Sequence, residues 1–112
     1  MYLGYSGIVT QNNQISSIDT WGPQYTVVVD IIVHSAVEGP DGWSNIIHFT
    51  TGDECCNIGE RIPAIYYNSG GYLRISSAVS GNGNFEVDYS IDLNKWYHIE
   101  IAQTWKNGKV RV

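Results

Sequence analysis

The sequence has little charge, and most of that charge is negative. Charged residues make up 15% of the 112 residues, with six Lys and Arg against eleven Asp and Glu, so the formal net charge is −5. The six cations are scattered along the chain and form no basic stripe. Because nucleic-acid binding needs clustered cations to neutralise phosphates, we expect no nucleic-acid partner.

Long apolar runs are also missing. The longest, at residues 27–33, is interrupted by Asp30, and a membrane-spanning helix needs about 20 apolar residues. The sequence therefore predicts no membrane span. The opening residues Met1-Tyr2-Leu3 lack the basic start and the long apolar centre of a secretory signal, so we expect any export signal to lie outside this sequence.

Cysteine is scarce, and the two cysteines, Cys55 and Cys56, are adjacent. Neighbouring cysteines can bond to each other only by closing an eight-membered vicinal ring. The alternatives are a free buried pair, a bond to another chain, or partners beyond this sequence. A zinc site would need more soft ligands nearby, and the closest histidine, His48, is seven residues before Cys55, so we do not expect zinc.

Aromatic and β-branched residues are abundant. Hydrophobic residues make up 43% of the chain, which contains eight Tyr, four Trp and twelve Gly. This composition suits an all-β protein with many turns, and the length suits one domain with its own core. We therefore predict a single β-sandwich domain over residues 1–112.

Alternation of apolar and polar residues predicts the individual strands. In the clearest case Trp96, His98 and Glu100 fall on one side of an extended segment, and Ile99 and Ile101 fall on the other. Similar patterns predict strands at residues 15–18, 25–37, 43–51, 61–67, 72–79 and 85–91. Residues 25–37 are apolar on both alternating sets, which favours a central strand. Turn signals recur about every 8 to 12 residues, as in antiparallel sandwiches.

The end of the sequence has the form of a β-hairpin. Asn107-Gly108 is a preferred two-residue hairpin turn, and Val110 and Val112 alternate with charged residues on the returning strand. The sequence stops within that strand. We therefore expect either further strands beyond Val112 or an edge that is completed by a strand from another molecule.

This hairpin also carries a family resemblance. The segment WYHIEI at 96–101, the Asn107-Gly108 turn and KVRV at 109–112 resemble the late hairpin of laminin-G-like domains and of the wider concanavalin A-like group. The resemblance covers about residues 15–112. It implies an antiparallel, jelly-roll-like β-sandwich that lacks its C-terminal strands, and an extracellular protein of a group that includes lectins, adhesion modules and glycanases.

The resemblance also bears on the loop after the strand predicted at 43–51. Some laminin-G-like sequences carry a Cys-Cys pair before a segment like Arg61-Ile62-Pro63, which implies a vicinal disulfide between the two cysteines. Related folds bind calcium in their loops, and Asp53, Glu54 and Glu60 are carboxylates that could ligate it here. Their spacing matches no EF-hand pattern, and the alternative is a solvated acidic loop without metal.

Glu86 and Asp88 lie two residues apart on the polar side of a predicted strand. Concanavalin A-like glucanases carry an E-x-D-x-x-E motif there, in which one carboxylate attacks and another protonates the leaving group. In this sequence the third position is Ile91. Since the motif lacks its second catalytic carboxylate, we expect no enzyme, and the two acids are then ordinary exposed strand residues.

Aromatic residues beside turns are the candidates for ligand binding. Trp43, Tyr66, Tyr67 and Tyr72 flank predicted turns, where flat rings can stack on sugars while acidic side chains such as Asp53 bond to hydroxyls. The alternative is that these rings cap the ends of the sandwich.

Three functional hypotheses follow. The first is a non-catalytic extracellular recognition or adhesion module that binds a glycan or a protein through loops at one end of the sandwich. The second is a structural subunit that assembles into homo-oligomers when a neighbouring strand pairs with the edge at 109–112. The third is a glycan-cleaving enzyme whose second carboxylate comes from outside the Glu86-Asp88 motif.

Overall fold

The computed structural model describes residues 14–19, 21–22, 24–36, 41–53, 55–79, 81–104 and 109–111. Within these ranges the chain forms strands and no helix. The strands are β1 (Tyr25–Ile32), β2 (Trp43–His48), β3 (Ala64–Asn68), β4 (Tyr72–Val79), β5 (Asn82–Ser90), β6 (Trp96–Thr104) and β7 (Lys109–Arg111).

The strands form two antiparallel sheets. One sheet has four strands in the order β2-β3-β4-β5, so each strand pairs with its neighbour in sequence. The other has three strands in the order β1-β6-β7. In the chain, β1 precedes the four-stranded sheet and β6 follows it. Their pairing therefore brings the segments on either side of that sheet together.

The described residues form a hydrophobic core between the sheets. Its buried members come from both of them: Tyr25, Val27, Ile31, Ile99 and Ile101 from the three-stranded sheet, and Ile65, Tyr67, Leu73 and Ile75 from the four-stranded sheet. Two antiparallel sheets that share one apolar layer have the arrangement of a β-sandwich. The all-β class is confirmed, and the architecture is consistent with the predicted sandwich.

Alternation decides which side chains enter this core. On β6, Ile99 and Ile101 are buried, whereas His98 and Glu100 are exposed, as the pattern predicts. The predicted strand at 72–79 coincides with β4. The predicted turn at Asn107-Gly108 lies outside the described residues, but β7 pairs antiparallel with β6, so the hairpin is confirmed.

Three strand predictions are wrong in detail. Among the described strands, β1 lies at one end of its sheet and not at the centre. Its outward-facing Val28 is 55% exposed. Residues 15–18 form no strand, and Ile15 is exposed. β3 begins at Ala64, after Pro63, because proline has no N–H to donate to a sheet ladder.

A buried polar cluster links the two sheets inside the core. The Tyr25 hydroxyl of β1 contacts the Ser77 hydroxyl of β4 and donates to Oε1 of Gln103 on β6 at 3.1 Å, while Ser77 donates to the same oxygen at 2.7 Å. Burial raises the pKa of Tyr25. Since an unpaired buried hydroxyl is costly, these contacts favour one alignment of the sheets.

Candidate functional site

The outer face of the four-stranded sheet carries a cleft. Its described lining residues come from four separate stretches of the chain, and its volume is about 380 Å³. We call it the arginine-aromatic cleft, and its lining consists of Asp41, Trp43, Arg61, Tyr66, Arg74 and Glu86.

Strand register brings these residues together. Tyr66 of β3 is directly opposite Arg74 of β4, and Arg74 is directly opposite Asp88 of β5. Glu86 follows on the same face of β5, two residues before Asp88, because side chains alternate along a strand. The buried residues Ile65 and Leu73 occupy the opposite face of the same strands. The alternation that builds the core thus places two acids and an arginine on the outer face.

Arg74 contacts two carboxylates and an aromatic ring. Its Nε and Nη2 donate to the two carboxylate oxygens of Asp88 at 2.8 and 3.0 Å, and its Nη1 lies 3.3 Å from Oε2 of Glu86. Its guanidinium also lies over the ring of Trp43, 4.6 Å from the ring centre. Such a bidentate pair is planar and directional, so it fixes the guanidinium beside the ring.

These contacts change the ionisation of both partners. The hydrogen bonds from Arg74 hold the pKa of Asp88 below its ordinary value, and its positive charge adds to that effect. The hydrogen bonds to Asp88 raise the pKa of Arg74, so the arginine remains a cation. At neutral pH, Arg74 therefore lines the cleft as the cationic half of a fixed ion pair with Asp88.

Arg61 is the second arginine that lines the cleft. Its Nη1 donates to Oδ1 of Asn84 at 2.7 Å and to Oε1 of Glu86 at 3.3 Å. Asn84 Nδ2 donates to the same Glu86 oxygen at 2.9 Å. The guanidinium of Arg61 lies over the ring of Tyr66, 5.0 Å from its centre. Glu86 is thus held between two arginines, each of which is stacked on an aromatic ring.

The rings themselves form one edge-to-face group. Trp43 lies edge to face with Tyr66 at 6.4 Å between ring centres and with Tyr72 at 5.7 Å. This geometry pairs the positive edge of one ring with the negative face of another. Three of the aromatic residues singled out in the sequence therefore belong to one cluster on the outer face.

Of the five predicted ligand-binding residues, Trp43 and Tyr66 line the cleft, Tyr72 joins it only through its contact with Trp43, and the other two lie elsewhere. Tyr67 is 4% exposed and packs in the core between the sheets. It is a core residue, because adjacent strand residues point to opposite faces and Tyr66 faces outward. Asp53 is exposed in the loop between β2 and β3 and is not among the described residues that line the cleft.

The loop between β2 and β3 also contains the calcium candidates. Glu60 is buried, and its carboxylate accepts hydrogen bonds from the side chain and the backbone N–H of Asn57 at 2.9 and 2.8 Å. These bonds lower the pKa of Glu60. Glu54 lies outside the described residues. In the part of the chain that is described, no three His, Cys, Asp or Glu side chains are grouped as metal ligands, so calcium binding by these acids stays a prediction.

Cys55 and Cys56 lie in the same loop. The structure pairs their sulfur atoms as a vicinal disulfide. Cys56 is exposed and Cys55 is partly buried, so a solvent thiol can reach the pair.

Sequence reasoning missed the arginines of the cleft. Arg74 alternates with buried residues on β4 like any exposed strand residue, and Arg61 follows a loop. The sequence does place Glu86 and Asp88 together on the outward side of one strand. Two neighbouring carboxylates repel each other, so a cation beside them is favourable. Only the pairing of β4 with β5 identifies Arg74 as their partner.

The search for related proteins found nothing similar. No protein-family model, no curated protein and no solved structure matches this chain. In the described ranges no helix is long and apolar enough to cross a membrane. A relationship to laminin-G-like or concanavalin A-like domains therefore stays a prediction.

Proposed function

We propose that this protein is a non-catalytic, extracellular recognition module of the concanavalin A-like, jelly-roll type that binds a glycan in the arginine-aromatic cleft. The observation that carries the proposal is the meeting of Trp43, Tyr66, Arg61, Arg74 and Glu86 in one cleft on the outer sheet face. This differs from a site built on loops at one end of the sandwich.

The chemistry of the cleft suits a sugar. Sugar rings present apolar C–H faces together with many hydroxyls that both donate and accept hydrogen bonds. Arginine supplies several donors in a fixed plane, carboxylates supply acceptors, and aromatic rings supply apolar surface. Ligand sites in proteins commonly combine an aromatic lining with a few fixed polar groups.

The charge balance favours a neutral glycan. Among the described lining residues, Arg61 and Arg74 balance the carboxylates of Asp41 and Glu86, and Asp88 binds Arg74 from beside the cleft. The whole chain also carries a net charge of −5. The cleft therefore offers an anionic glycan no surplus positive charge, and the chain around it is acidic, so we expect neutral oligosaccharides to bind more tightly than sulfated or carboxylated ones.

An array of neutral and acidic oligosaccharides, followed by titration of any hit, tests the proposal. Trp43→Ala is expected to weaken binding by about tenfold or more, since loss of an aromatic hot spot costs about 2 kcal/mol or more and about 1.4 kcal/mol corresponds to tenfold in affinity. Trp96→Ala is the matched control, because Trp96 is 67% exposed on the other sheet. Trp43→Phe keeps a ring and is expected to bind better than Trp43→Ala.

Two outcomes would overturn the proposal. One is the absence of binding to any oligosaccharide at millimolar concentration. The other is equal loss of affinity in Trp43→Ala and Trp96→Ala while both variants keep the wild-type circular dichroism spectrum.

Glycan cleavage is the second candidate, because the cleft supplies a carboxyl from outside the Glu86-Asp88 motif. Asp41 lies in the turn before β2 and lines the cleft together with Glu86. Two carboxyl groups on either side of a glycosidic bond are the requirement for hydrolysis. Incubating array hits with the protein and measuring released reducing ends separates the two functions. Release that is lost in both Glu86→Gln and Asp41→Asn, but kept in Asp92→Asn, would replace binding with catalysis.

A further inference from the structure

The loop with the two cysteines packs directly against the strand that carries Glu86. A β-carbon placed on Gly83 of β5 would lie 2.6 Å from the carbonyl oxygen of Cys56, 2.9 Å from the carbonyl carbon of Asn57 and 3.0 Å from the nitrogen of Ile58. No side chain fits at those distances, so glycine permits the close approach of the two backbones. The loop and the start of β5 are therefore in tight contact beside Cys56.

The loop is closed by its own hydrogen bonds. Thr51 donates its backbone N–H to the Gly59 carbonyl at 3.0 Å. Near its end, Glu60 accepts both hydrogen bonds from Asn57 and donates its own N–H to the Asn57 carbonyl at 3.2 Å. Since the bond between Thr51 and Gly59 spans the cysteines, a change at Cys55-Cys56 occurs within a closed loop.

Two direct links connect this loop to the arginine-aromatic cleft. The first is Arg61, which follows Glu60 at the exit of the loop and lines the cleft. The second is Asn84, which follows Gly83 on β5 and bonds to both Arg61 and Glu86. Displacing the loop from Gly83 is therefore expected to move Arg61 and Asn84, the two residues that hydrogen-bond Glu86.

We infer that Cys55 and Cys56 form a redox switch that sets the affinity of the cleft for its ligand. One thiolate of a dithiol reductant attacks one sulfur, which breaks the S–S bond, releases the other cysteine as a thiol and forms a mixed disulfide. The second thiol of the reductant then attacks that mixed disulfide, releases the remaining cysteine and closes the reductant into a cyclic disulfide. The protein gains two electrons and two protons as two thiols. The exposed side chain of Cys56 gives the reductant access.

The consequence of reduction follows from the contacts. Opening the vicinal ring frees the backbone at residues 55–56, and the packing of Cys56 against Gly83 loosens. Arg61 and Asn84 then lose the fixed positions in which they hold Glu86, and the cleft binds its ligand less tightly. Coupling between two sites in one protein typically amounts to about 5-fold to 150-fold in affinity, and we expect at least about fivefold here. The effect on affinity rests on the function proposed above, whereas the movement of the network does not.

The test compares oxidised full-length protein with protein reduced by dithiothreitol. NMR spectra of the Asn84 side-chain amide and of the Arg61 Nε–H report on the network without any ligand. We expect both signals to shift on reduction, and the indole signal of Trp96 on the other sheet to stay in place. Titration with an oligosaccharide from the array is expected to give at least about fivefold weaker binding after reduction. A Cys55→Ser/Cys56→Ser variant is expected to match the reduced protein and to ignore dithiothreitol.

A variant without any change at sulfur gives an independent test. Gly83→Ala pushes the loop off β5 and is expected to shift the same two signals in the oxidised protein. Gly22→Ala is its control, because a β-carbon there has its nearest neighbour at 4.0 Å. Signals of Arg61 and Asn84 that stay unchanged on reduction would overturn the switch, whether or not a glycan binds. Signals that shift while no glycan binds would support the switch and refute the proposed ligand class.

Discussion

Each sheet carries an acid-base pair on its outer face, and the two pairs have different surroundings. On the four-stranded sheet Arg74 bonds to Asp88, and their side chains are 27% and 44% exposed. On the three-stranded sheet His98 bonds to Asp30 at 2.6 Å, and their side chains are 58% and 66% exposed. Both pairs join residues that are directly opposite on neighbouring strands.

The difference lies in what surrounds each pair. Arg74 also contacts Glu86 and covers the ring of Trp43, and the resulting group lines a cleft. His98 has one further described contact, to Glu100 at 3.5 Å on its own strand. Cross-strand pairing alone thus produces an exposed ion pair, and a site forms where aromatic neighbours and a second arginine enclose it.

The largest expected difference between the faces is in stability. Arg74→Ala removes the bidentate pair and leaves Glu86 and Asp88 together without their shared cation. Hydrogen bonds to charged groups contribute about 1.5–3 kcal/mol, and partial exposure reduces this, so we expect the free energy of unfolding to fall by about 1–2 kcal/mol. His98→Ala is expected to leave the urea midpoint close to that of the wild type. Equal midpoints for the two variants would contradict the comparison.

Arg74→Lys sharpens the same measurement. Lysine keeps the positive charge but cannot form the planar bidentate bond or cover the tryptophan in the same way. We therefore expect its unfolding midpoint to lie between those of the wild type and Arg74→Ala.

The second prediction concerns Asp88 in acid. Because its pKa is lower in the folded than in the unfolded chain, the pairing with Arg74 stabilises the fold above the ordinary pKa of aspartate. That contribution is lost as the pH falls through the lowered value. Carbon NMR titration of the carboxyl group measures this pKa directly. In Arg74→Ala it is expected to rise towards its ordinary value, and an unchanged pKa would show that Arg74 is not the cause.

The third prediction concerns His98, whose contribution to stability depends on pH in the opposite direction. The hydrogen bond to Asp30 raises the pKa of His98 above its ordinary value of 6.5, with a further contribution from Glu100. The pairing therefore stabilises the fold fully below 6.5, and its contribution is lost as the pH rises through the raised value. NMR titration of the imidazole in Asp30→Asn is expected to give a lower pKa than in the wild type. Glu100→Gln is expected to lower it less, because its oxygen is 3.5 Å away instead of 2.6 Å.

Much of the fold could be predicted from single strands. The alternation on β4 and β6 identifies buried residues such as Leu73 and Ile101, because each strand has one face against the core. The same rule places Tyr66 and Tyr67 on opposite faces of β3, so only one of the two can line a cleft on the outer face. The end position of β1 could not be predicted, since branched apolar residues favour extended backbone even where a side chain such as Val28 is exposed.

Less of the site could be predicted, because it depends on pairs of strands. Trp43, Tyr66 and Tyr72 were identified by their aromatic chemistry alone. Arg61, Arg74 and Glu86 become one group only when β3, β4 and β5 are aligned and the loop before β3 is folded back on β5. The residue pattern within one strand does not determine how that strand is aligned with its neighbours.

The smallest expected effect is a difference in salt dependence between the two outer faces. Raising the ionic strength from about 0.1 M to about 1 M shortens the screening length from about 10 Å to about 3 Å. The His98-Asp30 pair is more exposed than the Arg74-Asp88 pair, so salt weakens its attraction more. We expect the pKa of His98 to move towards its ordinary value in 1 M NaCl while that of Asp88 stays nearly constant, both measured by NMR titration. If the pKa of Asp88 moves as far as that of His98, salt ions reach the arginine pair as easily as the histidine pair. The lower exposure of the Arg74-Asp88 pair would then not explain the difference between the two faces.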